Sequence, residues 1–304
     1  MKRALIFPGQ ASQFVGMGQD VFDKYPEIQA MYSNARDILG FDIADITFNG
    51  PLEKLTETRI TQPALFITSA AFFSQLPDTF EFQLVAGHSL GEYSALYAAG
   101  VLSFEDALSI VKVRAEGMQA AGEAQSGTMA AILNLSREDV EKACEQASSR
   151  GIVQAANFNS PGQIVISGEV TAVQYAMEIA KEVGARKVVA LNVSGAFHSP
   201  LMAPAIQGLQ EAISQATFNQ AKVPIVANVD ASPTSDAQKI QSNLIEQLEN
   251  PVLWEDSVET MLKEGIDEFI EVGPGRVLQG LIRRVKRETT VAGMGTLEQL
   301  EAIS

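Results

Sequence analysis

A short apolar stretch, Leu84-Val85-Ala86, runs directly into Gly87-His88-Ser89-Leu90-Gly91, and Glu92 to Ala99 then has helical character. A buried strand that turns into a helix through a G-x-S-x-G run is the strand, sharp turn and helix of a nucleophile elbow, which points to an α/β fold. The N-terminus repeats the phrase. Residues 3–7 predict a strand that enters the loop Pro8-Gly9-Gln10-Ala11-Ser12-Gln13 and is followed by helical patterns to about residue 39. Taken alone, G-x-S-x-G is also what an ordinary turn contains, and the flanking elements are what mark Ser89 as a nucleophile. Glycines at 87 and 91 relieve crowding around a strained residue. The first amides of the following helix face developing negative charge, which makes the Leu90 N–H one oxyanion donor.

A serine hydroxyl needs a neighbouring base that titrates near neutrality, and imidazole suits that task. The chain has 2 histidines. His88 adjoins Ser89 on a turn that splays neighbouring side chains apart, so His198, in Gly195-Ala196-Phe197-His198-Ser199, is the histidine expected to act as base. A third, acidic member is hard to find. Between Ser89 and His198 the aspartates are Asp106 and Asp139, and both sit at helix starts where capping explains them. An amide or backbone carbonyl is therefore expected to orient His198, which argues against an ordinary lipase or esterase.

Arg114 lies on a helix predicted over about 104–121, where Ala107, Ile110, Val111 and Met118 share its face. A guanidinium on an apolar stripe needs an anion. Two readings stand side by side: a structural ion pair or snorkelling side chain, and a clamp for a substrate carboxylate.

Between Gly127 and Asn192 the predicted elements run strand, helix, strand, strand, helix, strand, a βαββαβ order. This predicts a small ferredoxin-like domain over residues 127–192, inserted into a larger α/β domain made of 1–126 and 193–304. In the C-terminal third, a strand over Glu268–Val272 and a helix from Val277 flank the turn Gly273-Pro274-Gly275. That turn fails as a dinucleotide loop because position 278 is Leu. With 304 residues, 46% hydrophobic and 19% charged, the chain can bury a large core. Its formal charge of -15 opposes general binding to nucleic acid or anionic membrane. The single cysteine, Cys144, excludes an intrachain disulfide and a Cys/His metal cluster. There is no signal-peptide pattern, and no apolar run reaches the ~18 residues that span a bilayer, so a cytoplasmic location is expected.

The chain resembles the malonyl-CoA:acyl-carrier-protein transacylases of type II fatty acid synthesis over essentially its whole length. The resemblance is carried by Phe7-Pro8-Gly9-Gln10-Ala11-Ser12-Gln13, by Gly87-His88-Ser89-Leu90-Gly91-Glu92-Tyr93, and by Arg114 with Met118-Gln119. It continues through Asn157-Phe158-Asn159-Ser160-Pro161-Gly162-Gln163, Gly195-Ala196-Phe197-His198, Gln247 with Asn250-Pro251-Val252, and Gly273-Pro274-Gly275. It implies an α/β-hydrolase-like core with a parallel sheet and an inserted ferredoxin-like domain. It further implies that Ser89 carries the acyl group, His198 is general base and acid, and Arg114 binds the malonyl carboxylate. The amides of Gln10 and Leu90 form the oxyanion hole and Gln247 helps to orient His198. The implied substrates are malonyl-CoA and the phosphopantetheine thiol of acyl carrier protein, with no cofactor of the enzyme's own and no metal.

Phe197 is either core packing or, as in related malonyl-selective enzymes, a ring that crowds a 2-methyl branch, a discrimination of only ~1–3 kcal/mol. Arg283, Arg284, Lys286 and Arg287 form the densest basic cluster. They read either as cations at a helix C-terminus or as a docking patch for an acidic carrier. A serine thioesterase or esterase shares the nucleophile and base, a trans-acting acyltransferase of polyketide synthesis shares the whole site, and a non-catalytic carrier-binding module would not need the Ser89 and His198 pair.

Overall fold

The computed structural model describes residues 2–303 and contains two sheets. The first is built from β1 (Arg3–Phe7), β2 (Leu84–Gly87), β7 (Ile225–Val226), β8 (Pro233–Thr234), β9 (Glu268–Val272) and β10 (Thr290–Met294), in the order β10-β9-β1-β2-β7-β8. Every pairing in it is parallel except that of the short edge strand β8 with β7. The second sheet contains β3 (Gly127–Leu133), β4 (Val153–Ser160), β5 (Gln163–Glu169) and β6 (Lys187–Ala190), in the order β4-β5-β3-β6, all antiparallel. The fold is mixed α/β, with one mainly parallel sheet and one separate antiparallel sheet.

Period-two alternation explains how the parallel sheet is buried on both faces. Leu5, Phe7 and Val85 enter one core with the helix Thr58–Ser74, while Ala4, Ile6, Leu84 and Ala86 enter another with Trp254, Val258 and Leu281. The antiparallel sheet divides the same way. Ala130, Ile132, Ile164 and Ile166 pack with Val140 and Val173, which lie on the helices Arg137–Ala147 and Val170–Glu182. Met129, Ala131 and Val165 face the opposite way and roof a cavity over the end of the parallel sheet.

Register places that end. Phe7 pairs with Gly87 at the C-terminal ends of β1 and β2, so the loop after β1 and the elbow after β2 lie side by side. Ligands of open parallel sheets bind in such a crevice. Contact there is too close for side chains: a Cβ on Gly9 would stand 2.4 Å from the His88 carbonyl oxygen, and one on Gly91 would stand 2.1 Å from that of Phe7.

One boundary shifts. The strand expected to reach Asn192 stops at Ala190. Edge strand β10 has no counterpart in the sequence reading, because Thr290-Val291-Ala292-Gly293-Met294 is short, only its last residue is buried, and it carries a glycine. Asp106 and Asp139 do sit at helix starts, but the capping side chains are Ser103 and Ser136, which accept from the aspartate amides.

Gly91→Ala is expected to destabilise the fold by about 1–3 kcal/mol or more, since neither backbone can retreat. Gly280→Ala meets nothing within 4 Å of the added methyl in the helix Val277–Val285 and should stabilise by roughly 0.5–1 kcal/mol. Denaturant titration of the two variants reads the opposite signs.

Candidate active site

Ser89 sits at the turn between β2 and the helix Gly91–Ala98 with φ of 51°, a left-handed conformation that costs a non-glycine residue about 1–3 kcal/mol. Asn228, just beyond β7, holds the turn in place. Its Oδ1 accepts from the Ser89 N–H at 2.7 Å and its Nδ2 donates to the Gly87 carbonyl at 2.7 Å. The elbow thus points the Ser89 hydroxyl outward, where His198 Nε2 lies 2.7 Å from Oγ. His198 also has positive φ, 55°, and is buried.

The His198 tautomer follows from its second partner. Nδ1 lies 2.8 Å from the main-chain carbonyl of Gln247, an acceptor only, so Nδ1 carries the proton and Nε2 is free to accept from Ser89. Burial, reinforced by the nearby Arg114 charge, lowers the imidazole to about 3, and the Gln247 carbonyl offsets part of that. His198 is therefore neutral in the resting site. His88 faces elsewhere: its Nε2 pairs with Asn159 Oδ1 at 2.8 Å, and burial lowers its pKa as well.

Arg114, on the helix Phe104–Ala124, is buried behind the serine. Nη1 donates to Gln62 Oε1 at 2.7 Å, and Nη2 donates to Ser89 Oγ at 3.0 Å and to Gln247 Oε1 at 2.9 Å. Its Nε has no acceptor among the described residues, and the guanidinium lies 5.5 Å from the Tyr93 ring centre. Every acceptor is a neutral hydroxyl or amide. Among the described residues no carboxylate forms a salt bridge with it, so a structural ion pair does not explain its burial.

Gln247 joins these parts through both its main chain and its side chain. Its main-chain carbonyl, not its side chain, meets His198, while the side-chain amide bridges Arg114, Glu92 and the Ser89 carbonyl. Asn228, Glu92 and Gln62 were not singled out from sequence as site residues. Asn228 and Gln62 carry no motif of their own; Glu92 stands in the elbow motif, but nothing local shows that it turns toward Gln247 instead of His198.

In front of Ser89 lies a cavity of about 270 Å³. Gln10, Ser89, Leu90 and His198 form its polar end, and Met118 and Phe197 belong to its apolar wall. The backbone N–H groups of Gln10 and Leu90 have no protein acceptor among the described residues, while the Gln10 side-chain amide donates to Thr58 Oγ1 at 3.4 Å. The helix Val277–Val285 contributes Val277, Leu278 and Leu281 to the wall and carries the basic cluster at and beyond its far end. There Arg284 donates to Gln163 Oε1 at 2.6 Å, while Arg283, Lys286 and Arg287 are exposed.

With a neutral imidazole as the base, kcat/KM for a reaction begun by Ser89 should not fall on acidification through the ordinary imidazole value of 6.5. Protonation removes the base, and a lowered pKa moves that loss to lower pH. An acid limb below about pH 5.5 in initial-rate measurements is the expected result.

Residues 4–299 match the family described as acyl transferase domain. The malonyl CoA-acyl carrier protein transacylase of Bacillus subtilis (strain 168) is 42% identical over 302 residues, 99% of this chain and 95% of that protein. Among solved structures, an acyl carrier protein S-malonyltransferase from Vibrio cholerae superposes with a TM-score of 0.96 at 40% identity, covering 100% of both chains. A type II PKS acyl-carrier protein in complex with its malonyl-transacylase gives 0.94 at 38% identity, covering 100% of this chain and 99% of the other.

Proposed function

Because the chain belongs to the acyl transferase domain family, we propose that it moves a malonyl group from coenzyme A to the phosphopantetheine thiol of acyl carrier protein in fatty acid biosynthesis. The observation that carries this reading is the convergence on Ser89 Oγ of a base at 2.7 Å and a guanidinium at 3.0 Å. A hydrolase needs only the first. An enzyme that loads an acyl group bearing its own carboxylate needs both.

In the first half-reaction Ser89 Oγ attacks the thioester carbonyl as its proton passes to His198 Nε2. The oxyanion is received by the Gln10 and Leu90 amides, a role supported by their lack of any other acceptor. Collapse expels the coenzyme A thiolate, which takes the proton from His198. The second half-reaction runs in reverse with the carrier thiol: His198 removes its proton, the thiolate attacks the acyl-serine, and Ser89 leaves reprotonated.

Arg114 supplies the selectivity. Acylation converts Ser89 Oγ into an ester oxygen, a weaker acceptor, so Nη2 is released to pair with the malonyl carboxylate. Phe197 would crowd a branched acyl group from the cavity wall. The exposed cations beyond the helix Val277–Val285 stand on the element that forms that wall, which suits them to an acidic carrier approaching the mouth. We further propose that the parallel sheet belongs to an α/β-hydrolase-like core of residues 1–126 and 193–304. Residues 127–192 form a ferredoxin-like domain, supported by the β4-β5-β3-β6 order with two helices on one face. No helix among the described residues is long and apolar enough to cross a membrane, in keeping with action in the cytoplasm.

Mixing the protein with malonyl-CoA should add one malonyl mass to the intact protein. The adduct should be absent from Ser89→Ala and should discharge to carrier thiol far faster than to water. Release of free malonate in place of transfer would make the protein a thioesterase. Comparing fatty acid and polyketide carriers as acceptors identifies the pathway.

Arg114→Ala should lower kcat/KM for malonyl transfer by an amount equivalent to about 2–5 kcal/mol while leaving acetyl transfer unchanged or improved. Equal loss for both acyl groups would assign Arg114 a purely structural role.

A further inference from the structure

Glu92 is a buried carboxylate that the transfer chemistry does not use. It stands in the first turn of the helix Gly91–Ala98, three residues after the nucleophile, yet it does not meet His198. Its Oε2 accepts from Gln247 Nε2 at 2.8 Å and from the Asn228 N–H at 3.1 Å. Gln247 is itself fully buried.

A carboxamide has two unlike ends, and each must find its complement. Nε2 of Gln247 points at Glu92 Oε2, with the Ser89 carbonyl at 3.1 Å and Asn228 Oδ1 at 3.4 Å as weaker acceptors. Oε1 accepts from Arg114 Nη2 at 2.9 Å. Turned over, the same amide would set its NH₂ against the guanidinium and its oxygen against a carboxylate oxygen, leaving buried groups unpaired at both ends. The acceptor at Glu92 therefore decides which way the amide lies.

We propose that Glu92 is a positioning residue for acyl-group selectivity: by accepting from Gln247 Nε2 it holds Gln247 Oε1 against Arg114 and so fixes the guanidinium where it receives the substrate carboxylate. This rests on the reading of Arg114 as the carboxylate receptor. The role needs an oxygen acceptor and not a negative charge. Burial above all pushes Glu92 up to about 7, although the Gln247 and Asn228 hydrogen bonds pull it back, so near neutrality it is not a full counter-charge to Arg114.

Two conservative variants separate acceptor from charge. Glu92→Gln keeps an oxygen at the end of an equally long side chain and removes the charge. Glu92→Asp keeps the charge and withdraws the oxygen by one methylene, about 1.5 Å. The readout is the ratio of malonyl to acetyl kcat/KM within each variant, in which any loss of folded protein cancels. Glu92→Gln should keep the wild-type ratio within ~3-fold, and Glu92→Asp should lower it ~10-fold, the equivalent of one hydrogen bond, with acetyl transfer little changed.

A Glu92→Asp ratio equal to wild type would overturn the proposal. So would a Glu92→Gln ratio that falls as far as that of Glu92→Asp, which would show that an oxygen acceptor without the charge does not suffice, or equal losses of malonyl and acetyl transfer, which would confine Glu92 to packing the elbow. Arg114→Ala serves as the reference. If its ratio falls while Glu92→Asp keeps its own, the positioning role alone fails; if its ratio is unchanged, the receptor reading fails.

Discussion

The left-handed backbone at Ser89 is the constraint on which the rest of the site depends. A non-glycine residue reaches that conformation at a cost, and it stays there only because the surroundings over-determine it. Gly87 and Gly91 are packed so closely that a Cβ on Gly87 would fall 1.9 Å from Gly91 backbone atoms. Asn228 then ties both sides of the turn by hydrogen bonds to Gly87 and Ser89. With the elbow fixed, the hydroxyl has one direction to point and the amide of Leu90 is left without a protein acceptor among the described residues.

A second constraint is electrostatic. The site buries a guanidinium beside the imidazole that meets the Ser89 hydroxyl, and the Arg114 charge adds to burial in discouraging a second positive charge on His198. Burial alone would push both groups toward neutrality, but arginine keeps its proton in proteins, so the imidazole yields. Among the described residues no salt bridge neutralises Arg114, so the guanidinium keeps its charge beside Ser89. The neutral oxygens of Gln62, Gln247 and Ser89 orient the fork without neutralising it.

The two sheets divide the labour. The parallel sheet presents the C-terminal ends of β1 and β2 together and so brings the loop with Gln10 beside the elbow. The antiparallel sheet spends one face on its own helices and turns the other, through Met129, Ala131 and Val165, onto the cavity. Hydrogen bonds between Val252 and the main chain of Ala156 and Phe158 fasten its edge strand β4 to the segment that follows Gln247, so the roof is tied to the stretch of chain that carries the His198 partner.

Much of this was legible in the chain because its signals are local. Alternating apolar residues, a glycine-flanked serine between strand and helix, and the order of elements from Gly127 to Ala190 depend only on near neighbours, and those elements form with shifts of a few residues. Counting two histidines was enough to single out His198 as the one beside Ser89, and the helical period was enough to put Arg114 on a buried face. Tertiary structure decided which atoms meet. That the main chain of Gln247 faces His198 while its side chain faces Arg114, that the acid in the elbow serves an amide, and that Asn228 clamps a turn 139 residues away are products of where five separated segments cross. Residue type sets what a group can donate or accept, but only the packed fold sets its distance and direction, and hydrogen bonds at buried sites depend steeply on both.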